Sequence, residues 1–335
     1  MIQVGLIGAG GIGEAHSSAY ALIPEAKVCA VVDVRTERAE LLANRHEARA
    51  YTSLEAMLAV ESPDMVDICT PSFTHKMIAI ECLKRGLHVL CEKPIAMTLN
   101  DAEEMVAVAT QRRRKFMIAQ VIRFWPEYLF LKQVFEKGTY GQLLQLSFSR
   151  TCGAPVWAWE GWYMDPQRSG RAPFELGIHD LDFVNFMLGK PDNVSAVAIE
   201  RPELNFSYLH THLKYLVGLR VETEAAWYAG PVPFKASFRA VFEKSVLEYK
   251  DDALLLYRSE ATEAEKIDMA AGVLLDSNIN LENAGPIHTE IAYFIDCLVN
   301  DRFPKVITPK DSLDSLKLLF YVLNAAQSGQ TVKVY

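Results

Sequence analysis

Ile2-Gln3-Val4-Gly5-Leu6-Ile7 runs straight into Gly8-Ala9-Gly10-Gly11-Ile12-Gly13, and this stretch decides the fold. The apolar run reads as a buried strand. Glu14 to Ile23 reads as a helix, and a second strand from Lys27 to Val32 ends at Asp33. Strand, glycine turn, helix, strand and acid in that order describe a dinucleotide-binding unit. Gly8 makes the tight turn, Gly10 lets the backbone approach a pyrophosphate, and Gly13 lets the helix pack close to the sheet. Gly11 and Ile12 complete the run at the helix N-terminus, which faces the phosphates. Asp33 stands where a carboxylate can accept bonds from ribose hydroxyls, and it would repel a 2′-phosphate. That favours NAD, while Arg35 leaves NADP open because a nearby arginine can hold the extra phosphate. The bland alternative is a glycine turn that only packs; the strand, the helix and the spaced acid weigh against it.

Further on, strand and helix keep alternating. Glu37 to His46 and Leu54 to Val60 read as helices, and Met65 to Cys69 as a strand leading into Thr70-Pro71-Ser72-Phe73-Thr74-His75. Lys76 to Arg85 is a helix closed by Gly86. The next apolar run, from Leu87, ends in Cys91-Glu92-Lys93-Pro94. A lysine there stands at the carboxyl end of a strand, the edge where open α/β sheets bind ligands. Pro94 holds Lys93 extended. A cis Lys93–Pro94 bond is expected, a state found in about 5–6% of X–Pro bonds. Asn100, as N-cap, begins a helix to Gln111, and Phe116 to Gln120 is another strand. Repeats of this length imply a doubly wound parallel sheet. Arg112 to Lys115 reads as a solvated helix end favoured by the helix dipole, not as a nucleic-acid patch.

After residue 121 the pattern changes. Tyr128 to Lys137 and Phe174 to Leu188 read as helices, and several strands between Leu143 and Tyr257 follow one another with few helices between them. That predicts an α+β domain with a large, mainly antiparallel open sheet. The expected division is a Rossmann domain over 1–121 and a second domain over 122–310, with the last helix, 311–328, packing back on the first. On the helix from Phe174, Glu175, His179, Asp182 and Phe186 are spaced by 4, 3 and 4 and share one face. A histidine with a carboxylate one turn before and another after is suited to proton transfer; a solvated helix face is the plain alternative. Trp157, Trp159, Trp162 and Tyr163 crowd one loop, where aromatic faces suit sugars or a packed interface equally. His210 and His212 share a strand face, but no acid or cysteine at zinc spacing completes a set, so no metal is expected. Ser72 and His75 either line the pocket beside Thr70 and Pro71 or serve the turn.

The chain has 335 residues, a net charge of −8 and half its residues apolar. This is enough for a sizeable core in two domains, and it lacks the basic footprint of a nucleic-acid binder. Six cysteines without a C-x-x-C pair read as reduced thiols of a cytoplasmic protein. No signal peptide is seen, and no apolar run reaches the roughly 20 residues that span a bilayer.

Taken together, Gly8 to Gly13, Thr70-Pro71, Glu92-Lys93-Pro94, Trp162 to Pro166, Ser169-Gly170 and Gly177 to Asp182 resemble the Gfo/Idh/MocA oxidoreductases, the group of glucose–fructose oxidoreductase and inositol 2-dehydrogenase. The resemblance spans essentially the whole chain. It implies hydride transfer between a nicotinamide cofactor and a carbinol of a sugar, inositol or related polyol. It implies a homodimer or homotetramer formed through the C-terminal sheet. Lys93 matches the family's catalytic lysine and His179 its proton acceptor. Glu175 stands where an aspartate is usual, as the residue orienting His179, and Asp182 matches a carboxylate near the substrate hydroxyls. Arg123, Trp162 and Tyr163 are placed with the substrate set, and Thr70, Pro71, Ser72, His75 and Glu92 with the cofactor set. Ser72 replaces a frequent asparagine, and Gly170-Arg171-Ala172-Pro173 replaces a glycine-rich run. A non-catalytic NAD-binding regulator and an NAD-dependent glycosidase are the alternatives within the same fold.

Overall fold

The structure, a computed structural model, describes residues 1–216, 218–269 and 285–335. In chain order the elements are β1 (Ile2–Ile7), α1 (Gly11–Tyr20), β2 (Ala26–Val32), α2 (Thr36–Arg45), β3 (Arg49–Tyr51), α3 (Leu54–Leu58), β4 (Met65–Ile68), α4 (His75–Lys84), β5 (His88–Glu92), α5 (Leu99–Arg112) and β6 (Phe116–Ala119). Then come α6 (Pro126–Lys137), β7 (Leu143–Gly153), α7 (Ile178–Leu188), β8 (Asn193–Arg201), β9 (Phe206–Lys214), β10 (Arg220–Tyr228), β11 (Lys235–Phe242), β12 (Ser245–Lys250), β13 (Ala253–Arg258) and β14 (Glu265–Ile267). The chain closes with α8 (Pro286–Val299), α9 (Pro309–Ser328) and β15 (Val332–Lys333). The sequence pattern predicts a strand from His210 to Val217, and Val217 lies outside the described residues.

The described chain forms two compact units. The first is Met1–Phe124 with residues 285–313; the second is residues 125–269 with Asp314–Tyr335. This differs from the expected division in its C-terminal part. It is α8, not the final helix, that joins the first unit, where it packs on α1 and β1. The cause is its apolar face: Ile291, Phe294 and Ile295 are buried there. Residues 314–328 of α9 belong to the second unit instead.

In the first unit six parallel strands take the order β3-β2-β1-β4-β5-β6. This is the doubly wound order, which reverses direction between β1 and β4. Every residue of β4 and β6 is buried, as a strand covered on both faces requires. Thr98, not Asn100, caps α5: its hydroxyl accepts the Asp101 N–H at 3.2 Å. The cap therefore stands two residues earlier than expected, and the helix begins at Leu99. Lys115 departs from the solvated reading of its run, being 4% exposed and paired with Asp301 at 2.5 Å.

The second unit is built on nine strands in the order β14-β13-β12-β11-β7-β10-β9-β8-β15. All neighbours are antiparallel except β7 and β10, which run parallel. The short strands β3, β14 and β15 are not foreshadowed in the sequence. Tyr128 of α6, Phe183 of α7, and Phe148 and Phe238 of the sheet form one aromatic cluster, with ring centroids 5.0–6.1 Å apart. Among the described residues no helix is long and apolar enough to cross a membrane.

His88 makes the first unit's stability depend on pH. Its Nδ1 accepts the Lys115 N–H at 2.9 Å, a bond that needs an unprotonated nitrogen. Burial, then the charges of Lys115 and Arg114, push its pKa down to about 4. The unfolded chain takes that proton near pH 6.5, so between about 6.5 and 4 the unfolded state binds more protons and stability falls as pH falls. Urea midpoints measured across that window are expected to decline. His88→Asn, which keeps an acceptor and does not titrate, is expected to flatten the decline; an unchanged slope would exclude His88 as its source.

Candidate active site

At the end of β1 the backbone turns with Gly8 at φ +99°, a left-handed conformation open to glycine. A Cβ on Gly13 would sit 2.0 Å from the Gly8 carbonyl oxygen, so the turn and the first helical turn leave no space for a side chain. Gly10 is different. It caps α1 in an extended conformation, and Cβ atoms on it or on Gly11 would meet nothing within 4 Å. The open ground lies over the N-terminus of α1, where exposed N–H groups and the helix dipole favour an anion. Ile12, 38% exposed, offers apolar surface beside it.

Asp33 closes this cradle at the end of β2. Its Oδ2 accepts the Ala9 N–H at 2.8 Å, tying the acid to the glycine turn. Oδ1 accepts from the Arg35 backbone N–H at 2.9 Å and from Arg35 Nε at 3.2 Å. Glycines, helix end and acid fit an adenine dinucleotide, with Gly8, Gly10, Gly11, Ile12, Gly13 and Asp33 as its holders. Six cysteines are unbridged.

Lys93 follows β5, and the Lys93–Pro94 peptide is cis, as expected. Lys93 is half-buried, and its backbone N–H donates to Glu92 Oε2 at 3.1 Å. The neighbouring turn, after β4, carries Thr70, Pro71 and Ser72. Thr70 and Thr74 share a hydroxyl bond of 2.7 Å. His75 is 0% exposed, so it is not a surface to which cofactor can bind. Its Nδ1 lies 2.8 Å from the Pro94 carbonyl and its Nε2 2.9 Å from that of Thr70, which makes it a tie between the two turns. Ser72 is buried at 3% in the same turn.

In the second unit the helix carrying Glu175 and His179 opens with a π-helical turn, Pro173–Gly177, before continuing as α7. Wider turns of this kind shift side chains off the regular α-helical face and occur at functional sites. Glu175 is 4% exposed, with Ser169 Oγ donating to its Oε1 at 3.5 Å; His179 is half-buried. The rotation of α7 is set by Asp180, next to His179. Arg150 of β7 grips Asp180 with two bonds, Nε to Oδ2 at 3.1 Å and Nη2 to Oδ1 at 2.9 Å, and also donates to the Tyr128 hydroxyl at 3.1 Å. Burial pushes the Asp180 carboxyl up, and the guanidinium offsets part of that.

Two expected substrate residues are placed elsewhere. Arg123 is 1% exposed; its Nη1 donates to the Val306 carbonyl at 2.7 Å and lies 3.6 Å from Asp311, so it anchors residues 306–311. Asp182 is 0% exposed and accepts the Ser315 hydroxyl at 2.8 Å, which turns it toward α9. The family resemblance places Arg123 with the substrate, and helical spacing puts Asp182 on a face without giving its depth. Trp162 and Tyr163 stack at 3.8 Å between centroids, while Trp157 stands 79% exposed. The sheet also supplies His212 and His210 with acids that chain spacing hid: β9–β10 pairing sets Glu222 against His212, at 3.3 Å, and Glu224 against His210.

Two models of one family match the chain. The first, described as an oxidoreductase family with an NAD-binding Rossmann fold, matches residues 2–120, and the family's C-terminal domain matches residues 128–248. Among curated relatives, D-glucoside 3-dehydrogenase of Escherichia coli (strain K12) is 31% identical over 195 residues, 57% of this chain and 55% of that protein. Inositol 2-dehydrogenase of Rhizobium meliloti (strain 1021) is 30% identical over 199 residues, 59% of this chain and 58% of that protein. The chain thus spans little more than half the length of these relatives. An oxidoreductase from Agrobacterium radiobacter, solved with NAD+, L-tartaric acid and magnesium, superposes with a TM-score of 0.83 at 21% identity, covering 99% of this chain and 98% of that one. At that identity the likeness is one of fold.

The two kinds of glycine give a test. Gly10→Ala is expected to fold with an unchanged melting temperature but to bind NAD at least ~10-fold more weakly, about 1.4 kcal/mol. Gly13→Ala must displace backbone, so it is expected to lose about 1–3 kcal/mol of stability as well. Calorimetry and thermal melts measure both. A Gly10→Ala protein that holds NAD as tightly as the wild type would remove the cradle from the site.

Proposed function

The chain belongs to the GFO/IDH/MocA oxidoreductase family, and from that premise we propose that it is an NAD-dependent dehydrogenase acting on a carbinol of a sugar, inositol or related polyol. The observation that carries this reading is the cradle of Gly8 to Gly13 closed by Asp33, with Lys93 at the carboxyl edge of the same sheet. The named dehydrogenases of glucoside and inositol among the relatives support the substrate class. The Asp33 carboxylate supports NAD over NADP, and Arg35, ion-paired to it, is drawn toward the acid.

When bound, the nicotinamide supplies the hydride acceptor for oxidation. The chain's own residues do the rest. Lys93 donates a hydrogen bond from its ammonium to the reacting oxygen and stabilises the charge that develops there; such preorganised donors are often the largest catalytic effect. His179 takes the hydroxyl proton on a ring nitrogen. Glu175, buried at the start of the same helix, holds His179 in orientation, and Arg150 fixes that helix through Asp180. The stacked Trp162–Tyr163 pair offers an aromatic face to sugar C–H groups.

The same reading includes a homo-oligomer formed through the outer face of the nine-stranded sheet. Val197, 56% exposed, and Ile199, 38% exposed, support it, since apolar side chains on an uncovered sheet face gain from burial. Six free thiols, four of them buried, support a reducing, cytoplasmic location.

With sugars, inositols and sugar acids as a panel, NAD reduction is expected for at least one compound. Lys93→Ala and His179→Ala are each expected to lower kcat by ~10²–10³ with NAD affinity nearly unchanged. Near-normal turnover in either variant would remove that residue's role. Product release without net cofactor reduction would favour the NAD-dependent glycosidase instead. Light scattering is expected to give a dimer or tetramer, and a Val197→Glu, Ile199→Glu double variant a smaller species; a monomeric wild type would end the sheet-face proposal.

A further inference from the structure

Beneath Lys93 lies a buried set of charges that the reaction scheme above leaves unused. His16, on α1, is 0% exposed. Its Nδ1 is 2.8 Å from Asp67 Oδ2, on β4, and its Nε2 is 3.1 Å from Glu92 Oε1, at the end of β5. Asp67 is itself 0% exposed, and the Glu92 side chain is 12% exposed. The second oxygen of Glu92 accepts the backbone N–H of Lys93. Cys69 completes the group, its thiol donating to Asp67 Oδ1 at 3.6 Å.

An ionised carboxylate only accepts. A ring whose two nitrogens both face carboxylate oxygens therefore carries two hydrogens and a positive charge. Burial works against that charge, but the charge of Asp67 and its bond to the ring hold the His16 pKa well above the usual histidine value. Glu92 is held below the usual range because the bond to and charge of His16 outweigh its burial. The Cys69 thiol is pushed up by burial and stays protonated.

We propose that His16 is a positioning residue for Lys93: anchored on Asp67, it fixes the Glu92 carboxylate, which in turn holds the backbone that carries the ammonium. The chain of contacts runs from α1, the helix of the dinucleotide cradle, across β4 to the end of β5. His75 holds the far side of the same loop through the Pro94 carbonyl. Lys93 is thereby fixed from both sides, by the His16–Glu92 bridge before it and the His75 contact with the Pro94 carbonyl after it. A lysine has a flexible four-carbon stem, so a fixed backbone is what limits where its ammonium can go.

This inference rests on Lys93 acting in turnover, and the experiment separates the two. His16→Ala and Glu92→Gln, alone and in a Lys93→Ala background, are assayed for kcat, for NAD affinity and for melting temperature. Glu92→Gln keeps an acceptor for His16 but sets an N–H₂ against the Lys93 N–H, and it serves if His16→Ala fails to fold. Either single variant is expected to lower kcat at least ~10-fold and to add no further loss once Lys93 is alanine; His16→Ala is expected to keep NAD affinity within about threefold. In protein reductively methylated with ¹³C, the Lys93 signal, assigned by its absence in Lys93→Ala, is expected to shift or broaden in both variants while other lysine signals stay put. An unmoved Lys93 signal, or a kcat loss that persists at full size in the Lys93→Ala background, overturns the proposal. A Lys93→Ala protein with wild-type kcat overturns the functional reading instead, while the methyl signal still decides whether His16 positions the lysine.

Discussion

The close approach of Gly13 to the Gly8 carbonyl is the constraint on which the first unit depends. A Cβ at position 13 would be 2.0 Å from that oxygen. With none there, α1 can sit down on the sheet. Its next inward residue, His16, then reaches Asp67 on β4 and Glu92 on β5. One backbone contact thus serves two purposes. It leaves the helix N-terminus open over Gly10 and Gly11, and it lowers a histidine into the layer that supports Lys93. The reversal of strand order between β1 and β4 brings the glycine turn and the Thr70-Pro71 turn side by side, the place where such sheets receive ligands.

The second unit relies on a different device. Arg150 and Asp180 are 2% and 1% exposed, and their bidentate pairing joins α7 to β7 through a core that is otherwise aromatic. Buried pairs of this kind add little net stability compared with apolar residues. Breaking one costs about 3–5 kcal/mol because the remaining charge is stranded. What the pair supplies is a fixed rotation for the helix that carries His179. The π-helical turn before it, with Glu175 at its centre, is a second local departure that sets the same helix.

How much of this could be read from the chain follows from how local each signal is. The strand, the glycine turn, the helix and Asp33 lie within about thirty residues, and each has its own steric or electrostatic reason, so the Rossmann unit and its cradle were legible. Lys93 was legible because a charged residue between a buried strand and a proline has few other places to be. Asp182 was misplaced because helical spacing tells which residues share a face and says nothing of what covers that face; Arg123, placed by resemblance alone, had no local signal of its burial. Thr98 and Asn100 both suit an N-cap, and only the backbone geometry chose Thr98. His212 found Glu222 through a strand register that no local pattern encodes.

The sequence by itself determined the order of the long elements, the parallel first sheet and the mainly antiparallel second one, the dinucleotide turn, and the places of Asp33 and Lys93 at strand ends. These rest on short-range sterics and on periodicity, which survive in a single chain without partners. Tertiary structure alone decided which of the polar residues are buried and with whom: His16 between two carboxylates, His75 between two carbonyls, Asp180 in the grip of Arg150. It also decided that α8 joins the first unit while residues 314–328 join the second. The physical reason is the same in each case. A buried polar group needs a partner, and at least one partner lies well beyond the local turn, brought close only when the sheets have formed.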